Sequence, residues 1–355
     1  RAHDGPREQG NAEGAQEEEA EVLEPDIRQS AGPTPVLSPH PVPSDAGLPH
    51  PHANERAALL RDLPGHEAWW GQYDQRADAE LLACAPTLRV LNTTSTGTDH
   101  IDKAYCAEHG IRILSITTDY GLLRSFTATA ELAWMLLLAC QRRARAATRA
   151  AHAGDWEQAA SRFQGRQLHG QTLGVLGVGR LGTMTVNFGL AFGMRVLVCD
   201  HRTITIPGVT QVPLATLLAE ADAISLHVHM TPDNHHLLNA RALAMMKPGA
   251  VLINTARGDL VDETALIAAL ESGHLRAYGA DVVHDEWRSD MRQQALVAYA
   301  ARHDQVILTP HIGGATLESV SQSRLFSARK LALYLQTGQI LTMPDTPGME
   351  RLLPA

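Results

Sequence analysis

Three observations predict an α/β chain built on a doubly wound parallel sheet. Short apolar runs alternate with helical stretches between Gly170 and His311. Those runs lack a strict apolar–polar alternation, as expected of parallel strands buried on both faces. A glycine fingerprint, TLGVLGVGRLG at 172–182, joins the first of these runs to a helical stretch.

The elements follow in chain order. Residues 1–54 hold an acidic run, EGAQEEEAE, and a Pro- and His-rich stretch, GPTPVLSPHPVPSDAGLPHPH. Such segments bury too little apolar surface to offset chain entropy, so this region is expected to be largely disordered. AEVLEPDI at 20–27 is the one candidate strand there. From Glu55 the sequence predicts a helix at ERAALLRDL, a weak strand at EAWWGQY, a helix at ADAELLACAP and a strand at LRVLNTTS. The turn TGTDHID, a helix to Gly110 and a strand at IRILSI come next. TATAELAWMLLLACQRRARAATRAA, 127–151, reads as one long helix. Its apolar half packs on protein, and Arg142, Arg143, Arg145 and Arg149 form a solvated face. Strands are then expected at TLGVLG, RVLVCD, AISLHV, AVLINT, AYGADV and QVILTP, with helices at PLATLLAEA, ARALAMM and ETALIAALESG. A final helix runs from about Leu317 to Leu335.

At 355 residues two domains are the default. A net charge of −9 argues against a nucleic-acid surface built on bulk positive charge. Cys84, Cys106, Cys140 and Cys199 are scattered without a C-x-x-C, which fits reduced, buried thiols better than a disulfide frame or zinc site. The first ten residues lack a signal-peptide core. The apolar stretch LAWMLLLAC is less than half of the roughly 20 residues a membrane span needs. A cytoplasmic enzyme without membrane or nucleic-acid partners is the expectation.

Gly177, Gly179 and Gly182 follow an apolar strand and open a helix, the context a dinucleotide fingerprint requires. The helix N-terminus offers free N–H groups to a pyrophosphate, with Arg180 and Leu181 at its top. Asp200 ends the next apolar run, at the distance where such (Rossmann) domains place an acid for the ribose hydroxyls. A carboxylate there repels a 2′-phosphate, so NAD is expected rather than NADP, with Arg202 nearby as a moderating charge.

Ligands of open α/β sheets bind beyond the carboxyl ends of the strands. There stand Arg257 after AVLINTA, Glu286 beyond AYGADV and His311 after QVILTP. A planar guanidinium suits a substrate carboxylate. An imidazole can give or take a proton near neutral pH, and a neighbouring carboxylate would orient it. Each also has an ordinary reading: a surface ion pair, a solvated acidic turn and a hydrogen-bonded core histidine. Together, downstream of the fingerprint, they point to proton-coupled hydride transfer.

With STGTDHID (95–102), GVLGVGRLG, MKPGAVLINTARGDLVDETAL (246–266), GADVVHDE (279–286) and LTPHIGGAT (308–316) in this order, the chain resembles the D-isomer-specific 2-hydroxyacid dehydrogenases from about Ala77 to Leu335. The resemblance implies a Rossmann NAD-binding domain (125–314) inserted in a smaller flavodoxin-like substrate domain (55–124 and 315–345). It implies Arg257 as substrate holder, His311 as acid/base and Glu286 as its partner. Asp281 would hold the nicotinamide carboxamide. Thr96 and Gly97 would bind cofactor and offer N–H groups to the substrate. Thr255, Ala256, Val228, Gly313 and Gly314 would line the cofactor. A small 2-oxo or 2-hydroxy acid substrate, a homodimer formed near 127–149 and no metal are further implications.

The chain departs from that pattern in three places. Gln29–His52 replaces a helix and strand of the substrate domain, Trp287 stands at a customary Pro, and His229 at another. His227 and His229 share a strand face without suggesting a metal. With about twenty residues after the last helix, a small regulatory domain is not expected, which removes one argument for serine feedback. Two alternatives stay open at this point: a dinucleotide-sensing, corepressor-like binding protein without physiological turnover, and a damaged paralogue whose substrate lobe no longer folds.

Overall fold

The computed structural model describes residues 36–37, 52–71, 76–344 and 351–354. The candidate strand at 20–27, with most of 1–54, lies outside the described residues.

Two parallel sheets carry the architecture. The smaller one runs in chain order through β1 (Val36–Leu37), β2 (Ala68–Gly71), β3 (Val90–Thr93) and β4 (Arg112–Leu114). The larger contains β5 (Thr172–Leu176), β6 (Arg195–Cys199), β7 (Val209–Gln211), β8 (Ala223–Leu226), β9 (Ala250–Asn254), β10 (Leu275–Ala280) and β11 (Val306–Leu308). Its spatial order is β11-β10-β9-β8-β5-β6-β7, parallel throughout. Every residue of β5, β8 and β9 is buried, which explains their largely apolar sequences, where Thr172, Ser225 and Asn254 are the polar residues. The order reverses between β5 and β8, and ligands of such sheets bind at that reversal. The expected strands of this sheet are all present. The short edge strand β7 was not foreseen, nor was the antiparallel pair β12 (Gln339–Thr342) with β13 (Arg351–Pro354).

Four features depart from expectation. Within the stretch expected to lack structure, Val36–Leu37 pairs with β2, and the first helix starts at His52 rather than Glu55. The long helix is two, Ala128–Gln141 and Ala144–His152, separated by Arg143 in the left-handed region (φ 52°). A continuing helix would spend the Gln141 carbonyl on the amide of Arg145. Here that carbonyl accepts from the amide of Arg166, in a segment that crosses the helix end. The arginines are not simply a solvated face. Arg145 donates to the Val306 carbonyl at 2.7 Å, and Arg145 and Arg149 both pair with Asp304. Finally, residues 120–141 together pass a length-and-hydropathy test for a membrane span, unlike the shorter apolar run within them. In this fold that segment is two helices, and the second packs under β9 and β10 through Ala133, Leu136, Leu137 and Cys140.

The helix Leu317–Thr337 returns to the smaller sheet. Leu331 joins Ala68, Val90 and Leu114 in one cluster, and Asn92 donates to the Ser327 hydroxyl at 2.7 Å. A buried ion pair pins this helix. Lys330 Nζ lies 2.5 Å from Asp119 Oδ2, with side chains 3% and 0% exposed. Lys330 also donates to the Ser115 carbonyl at 2.8 Å, and Asp119 accepts from the Met343 amide at 2.9 Å. All four cysteines are free thiols, Cys106 and Cys140 buried.

Candidate active site

The fingerprint turn sits at the reversal between β5 and β8. Gly177 has φ +87°, and a Cβ on it would meet the His227 carbonyl oxygen at 2.7 Å and Val228 Cγ1 at 2.8 Å. Only glycine combines that backbone with that proximity. Gly182 packs directly on the Gly177 carbonyl, which seats the helix Arg180–Ala191 against the strand. Gly179, its N-cap, faces open space, and no side chain caps the helix. Arg180, expected near the pyrophosphate, reaches the Phe126 carbonyl, and burial lowers its pKa. Leu181 begins the same helix, its carbonyl accepting from Thr185 Oγ1 at 3.2 Å.

Asp200 follows β6, its side chain 4% exposed. It accepts from the Val178 amide at 2.7 Å and the Arg202 amide at 2.9 Å. Burial would raise its pKa, but the hydrogen bonds from Arg202 and Val178 and the Arg202 charge outweigh burial and hold it far below the carboxylate range. Arg202 also donates to the Val178 carbonyl at 2.9 Å, tying the acid's loop to the fingerprint.

At the end of β9, the buried Asn254 shapes the following turn. Its amide donates to the Arg257 carbonyl at 2.8 Å, and its Oδ1 accepts from the Ala256 amide at 3.0 Å. Gly258 then lies against the backbone of Val283 and His284, where no Cβ fits, so the Arg257 and Glu286 loops run side by side. The Arg257 guanidinium reaches across to the smaller-sheet side, lying against Gly97. It contacts Asp99 Oδ2 from Nε at 2.7 Å and Nη2 at 2.6 Å, and donates from Nη1 to the Ala256 carbonyl at 2.7 Å. Burial alone would raise the Asp99 pKa; the charge and hydrogen bond of Arg257 bring it below normal.

His311 Nδ1 lies 2.8 Å from Glu286 Oε1, with side chains 27% and 14% exposed. His311 has φ 52° and Asp285 has φ 52°, so both loops hold non-glycine residues in the left-handed region beside the pair. Asp281 organises the His311 loop. Its carbonyl accepts from the His311 amide at 2.9 Å, and its carboxylate accepts from Thr309 Oγ1 at 2.5 Å, Ile312 N at 2.9 Å and Gly313 N at 2.7 Å. Burial outweighs those bonds and raises its pKa. The sequence reading gave Asp281 a cofactor contact; this loop-building set of bonds was not anticipated.

Three further residues escaped the sequence reading. Asp99 partners Arg257. His100, 2% exposed, lies 3.4 Å from Thr93 Oγ1 and within electrostatic reach of Asp99, Arg257, Lys103 and His311, which places Arg257 and His311 in one neighbourhood. His284 pairs with Asp259 and takes a backbone bond at 2.8 Å to Glu263, joining the loops on either side of Gly258. The strand-end rule draws attention to polar residues after strands, but their mutual pairing is tertiary information. Of the remaining expected residues, Thr96 is exposed, its carbonyl accepting from Thr117 at 2.7 Å, and Gly314 is exposed beyond His311.

These residues fit a bound dinucleotide. Gly179 leaves room above an uncapped helix N-terminus, where phosphate oxygens find N–H donors. Asp200 ends the strand beside it. The buried Thr255 hydroxyl has no protein partner among the described residues, so a polar ligand group would relieve it.

The family described as D-isomer specific 2-hydroxyacid dehydrogenase, NAD binding domain, matches residues 134–313, half of the chain. Hydroxypyruvate reductase of Thermotoga maritima is 34% identical over 266 residues, covering 75% of this chain and 83% of that protein. D-3-phosphoglycerate dehydrogenase of Mycobacterium leprae is 34% identical over 285 residues, 79% of this chain, which spans only 51% of that relative's length. Among solved structures, D-lactate dehydrogenase from Aquifex aeolicus, complexed with NAD and lactic acid, superposes with a TM-score of 0.68 at 32% identity, covering 78% of this chain and 85% of the other. The fingerprint at the sheet reversal and these likenesses lead to one assignment: the chain belongs to the D-isomer specific 2-hydroxyacid dehydrogenases, and is an NAD-dependent oxidoreductase.

Proposed function

We propose that the chain interconverts a small 2-hydroxy acid and its 2-oxo acid, with His311 as acid/base, Glu286 orienting it and Arg257 holding the substrate carboxylate. The observation that carries this reading is the 2.8 Å contact between His311 Nδ1 and Glu286. In this reading the other ring nitrogen, Nε2, serves the substrate oxygen. When bound, the dinucleotide supplies or accepts the hydride at the substrate's C2. In the reducing direction protonated His311 gives its Nε2 proton to the oxygen, while Glu286 keeps accepting from Nδ1–H. Of the five guanidinium donors, Asp99 takes Nε–H and one on Nη2, and Ala256 takes one on Nη1. One N–H on each terminal nitrogen remains for a carboxylate, and Thr96 and Gly97 add backbone donors beside it.

In the same reading, residues 55–124 and 315–345 form the substrate domain, 125–314 the cofactor domain, and the enzyme is a cytoplasmic homodimer. Exposed apolar side chains near the split helix, Met135 at 45% and Trp156 at 73%, support pairing there. The test is a screen of glyoxylate, hydroxypyruvate, pyruvate and 3-phosphohydroxypyruvate with NADH. Consumption of NADH with at least one is expected. Tight NADH binding without oxidation by any of them would count against the proposed reaction.

A further inference from the structure

At the opposite end of the larger sheet from the candidate active site, a cavity of about 970 Å³ opens beside the first residues of β10. Arg143, Arg166, Arg276 and Arg302 line it, in a chain whose net charge is −9. The one carboxylate on its wall, Asp304, already pairs with Arg145 and Arg149.

Beyond Asp304, the acid whose charge reaches the cluster is Asp222, which attracts Arg166 and Arg276 and itself pairs with Lys247 at 2.6 Å. Arg143 donates to the Arg162 carbonyl at 2.8 Å. Arg276, partly buried, donates to the Gln141 side-chain oxygen and, at 3.3 Å, to the Gly249 carbonyl, both neutral. Burial, and then the like charge of Arg166, lower its pKa, opposed by Cys140 and Asp222. Among the described residues no hydrogen bond or ion pair engages the Arg166 and Arg302 side chains, although the Asp222 charge reaches Arg166.

The wall is built rather than accidental. Gly165 packs so closely on the Gln141 carbonyl that no Cβ fits, and the Arg166 amide bonds that carbonyl at 3.0 Å. The crossing segment is thereby fixed across the helix end, with Arg166 beside Arg276. Arg276 is the partly buried member, and Arg143, Arg166 and Arg302 stand exposed around it. A partly desolvated guanidinium without a close counter-ion is costly, and an anion that pairs with it and its neighbours at once would stabilise it. Guanidinium forks match phosphate and carboxylate oxygens in two-point geometry. We propose that this cavity is a second ligand site, built for a metabolite-sized polyanion carrying two or more phosphate or carboxylate groups.

The test uses the full chain saturated with NADH, which closes the dinucleotide site to other phosphates. Inorganic pyrophosphate and citrate are titrated separately by calorimetry into wild type, into Arg276→Met and into the double variant Arg166→Gln/Arg302→Gln. One anion per chain is expected to bind wild type, with affinity about tenfold weaker or worse in each variant and falling with added salt. NADH affinity should stay within about twofold, because the cavity lies apart from the fingerprint. Which probe binds distinguishes phosphate from carboxylate chemistry. Binding of neither anion, or binding unchanged in both variants, overturns the proposal. Conversion of the double variant to monomers in sedimentation, without any anion binding to wild type, also overturns it and assigns the arginines to carboxylates of a second copy.

Discussion

Two enclosed imidazoles make the fold sensitive to mild acid. His100 lies beside the smaller sheet, 2% exposed, and His227 follows β8, its enclosed ring 2.9 Å from the Ser225 hydroxyl. Burial is the leading cause in both, pushing each pKa from 6.5 down to about 4. At His100, attraction to Asp99 opposes the shift, while Arg257, Lys103 and His311 add to it. The unfolded chain binds these protons near pH 6.5, and the folded chain refuses them until about pH 4. Stability is therefore lost as pH falls through that window. At about 1.4 kcal/mol per pH unit, each ring costs about 3 kcal/mol across the whole window and about 2 kcal/mol by pH 5. Domains hold only about 5–15 kcal/mol in all. Asp99, Asp200 and Asp222, whose pKa values are lowered, lose their contributions only in stronger acid, whereas Asp281 and Glu263, raised by burial, act with the opposite sign. The assay is urea unfolding at about pH 7 and about pH 5 for wild type, His100→Asn and His227→Asn. Tryptophan fluorescence follows it, with buried Trp69 and Trp134 reporting on the two sheets. Each variant should be less stable than wild type at neutral pH, with that gap narrowing by about 2 kcal/mol at pH 5. Parallel pH dependence in all three proteins would refute the reasoning.

Other expectations follow from named contacts. Asp119→Ala strands the Lys330 ammonium in a buried site and should cost about 3–5 kcal/mol in denaturant unfolding. Adding Lys330→Met should recover part of that loss, and strictly additive losses would show that the pair is not coupled. Gly182→Ala forces a Cβ into the Gly177 carbonyl and should lower both stability and NADH affinity. Gly179→Ala, with open space around the new methyl, should leave the melting temperature nearly unchanged while weakening NADH, as fluorescence titration would reveal. Asp99→Asn keeps one acceptor for Arg257 but removes its charge partner. It should raise the substrate KM more than it lowers kcat; an unaltered KM would make Asp99 a bystander.

Local chemistry made much of this legible. Gly177 needs a backbone that glycine alone adopts readily, so the fingerprint announces its own turn. β5, β8 and β9 are buried throughout, and their mostly apolar letters without strict alternation say so. His311 and Glu286 stand at strand ends, where the parallel fold gathers polar groups. What was hidden depended on partners far along the chain. The break at Arg143 arises because Arg166 captures a carbonyl that helix periodicity assigns to Arg145. Arg257 and Asp99 are 158 positions apart, and Lys330 and Asp119 are 211 apart. Nothing local to either residue predicts those pairs. β1 and β7 are too short to carry a periodic signal.

The most direct test of the acid/base assignment is His311→Asn, assayed by single-turnover NADH oxidation with the best substrate from the screen and by equilibrium NADH binding. The account predicts a rate at least about 100-fold lower, in the range that general acid–base catalysis supplies, with NADH affinity within about threefold of wild type. A variant that turns over at a near-wild-type rate, or one that loses NADH binding along with activity, would contradict it.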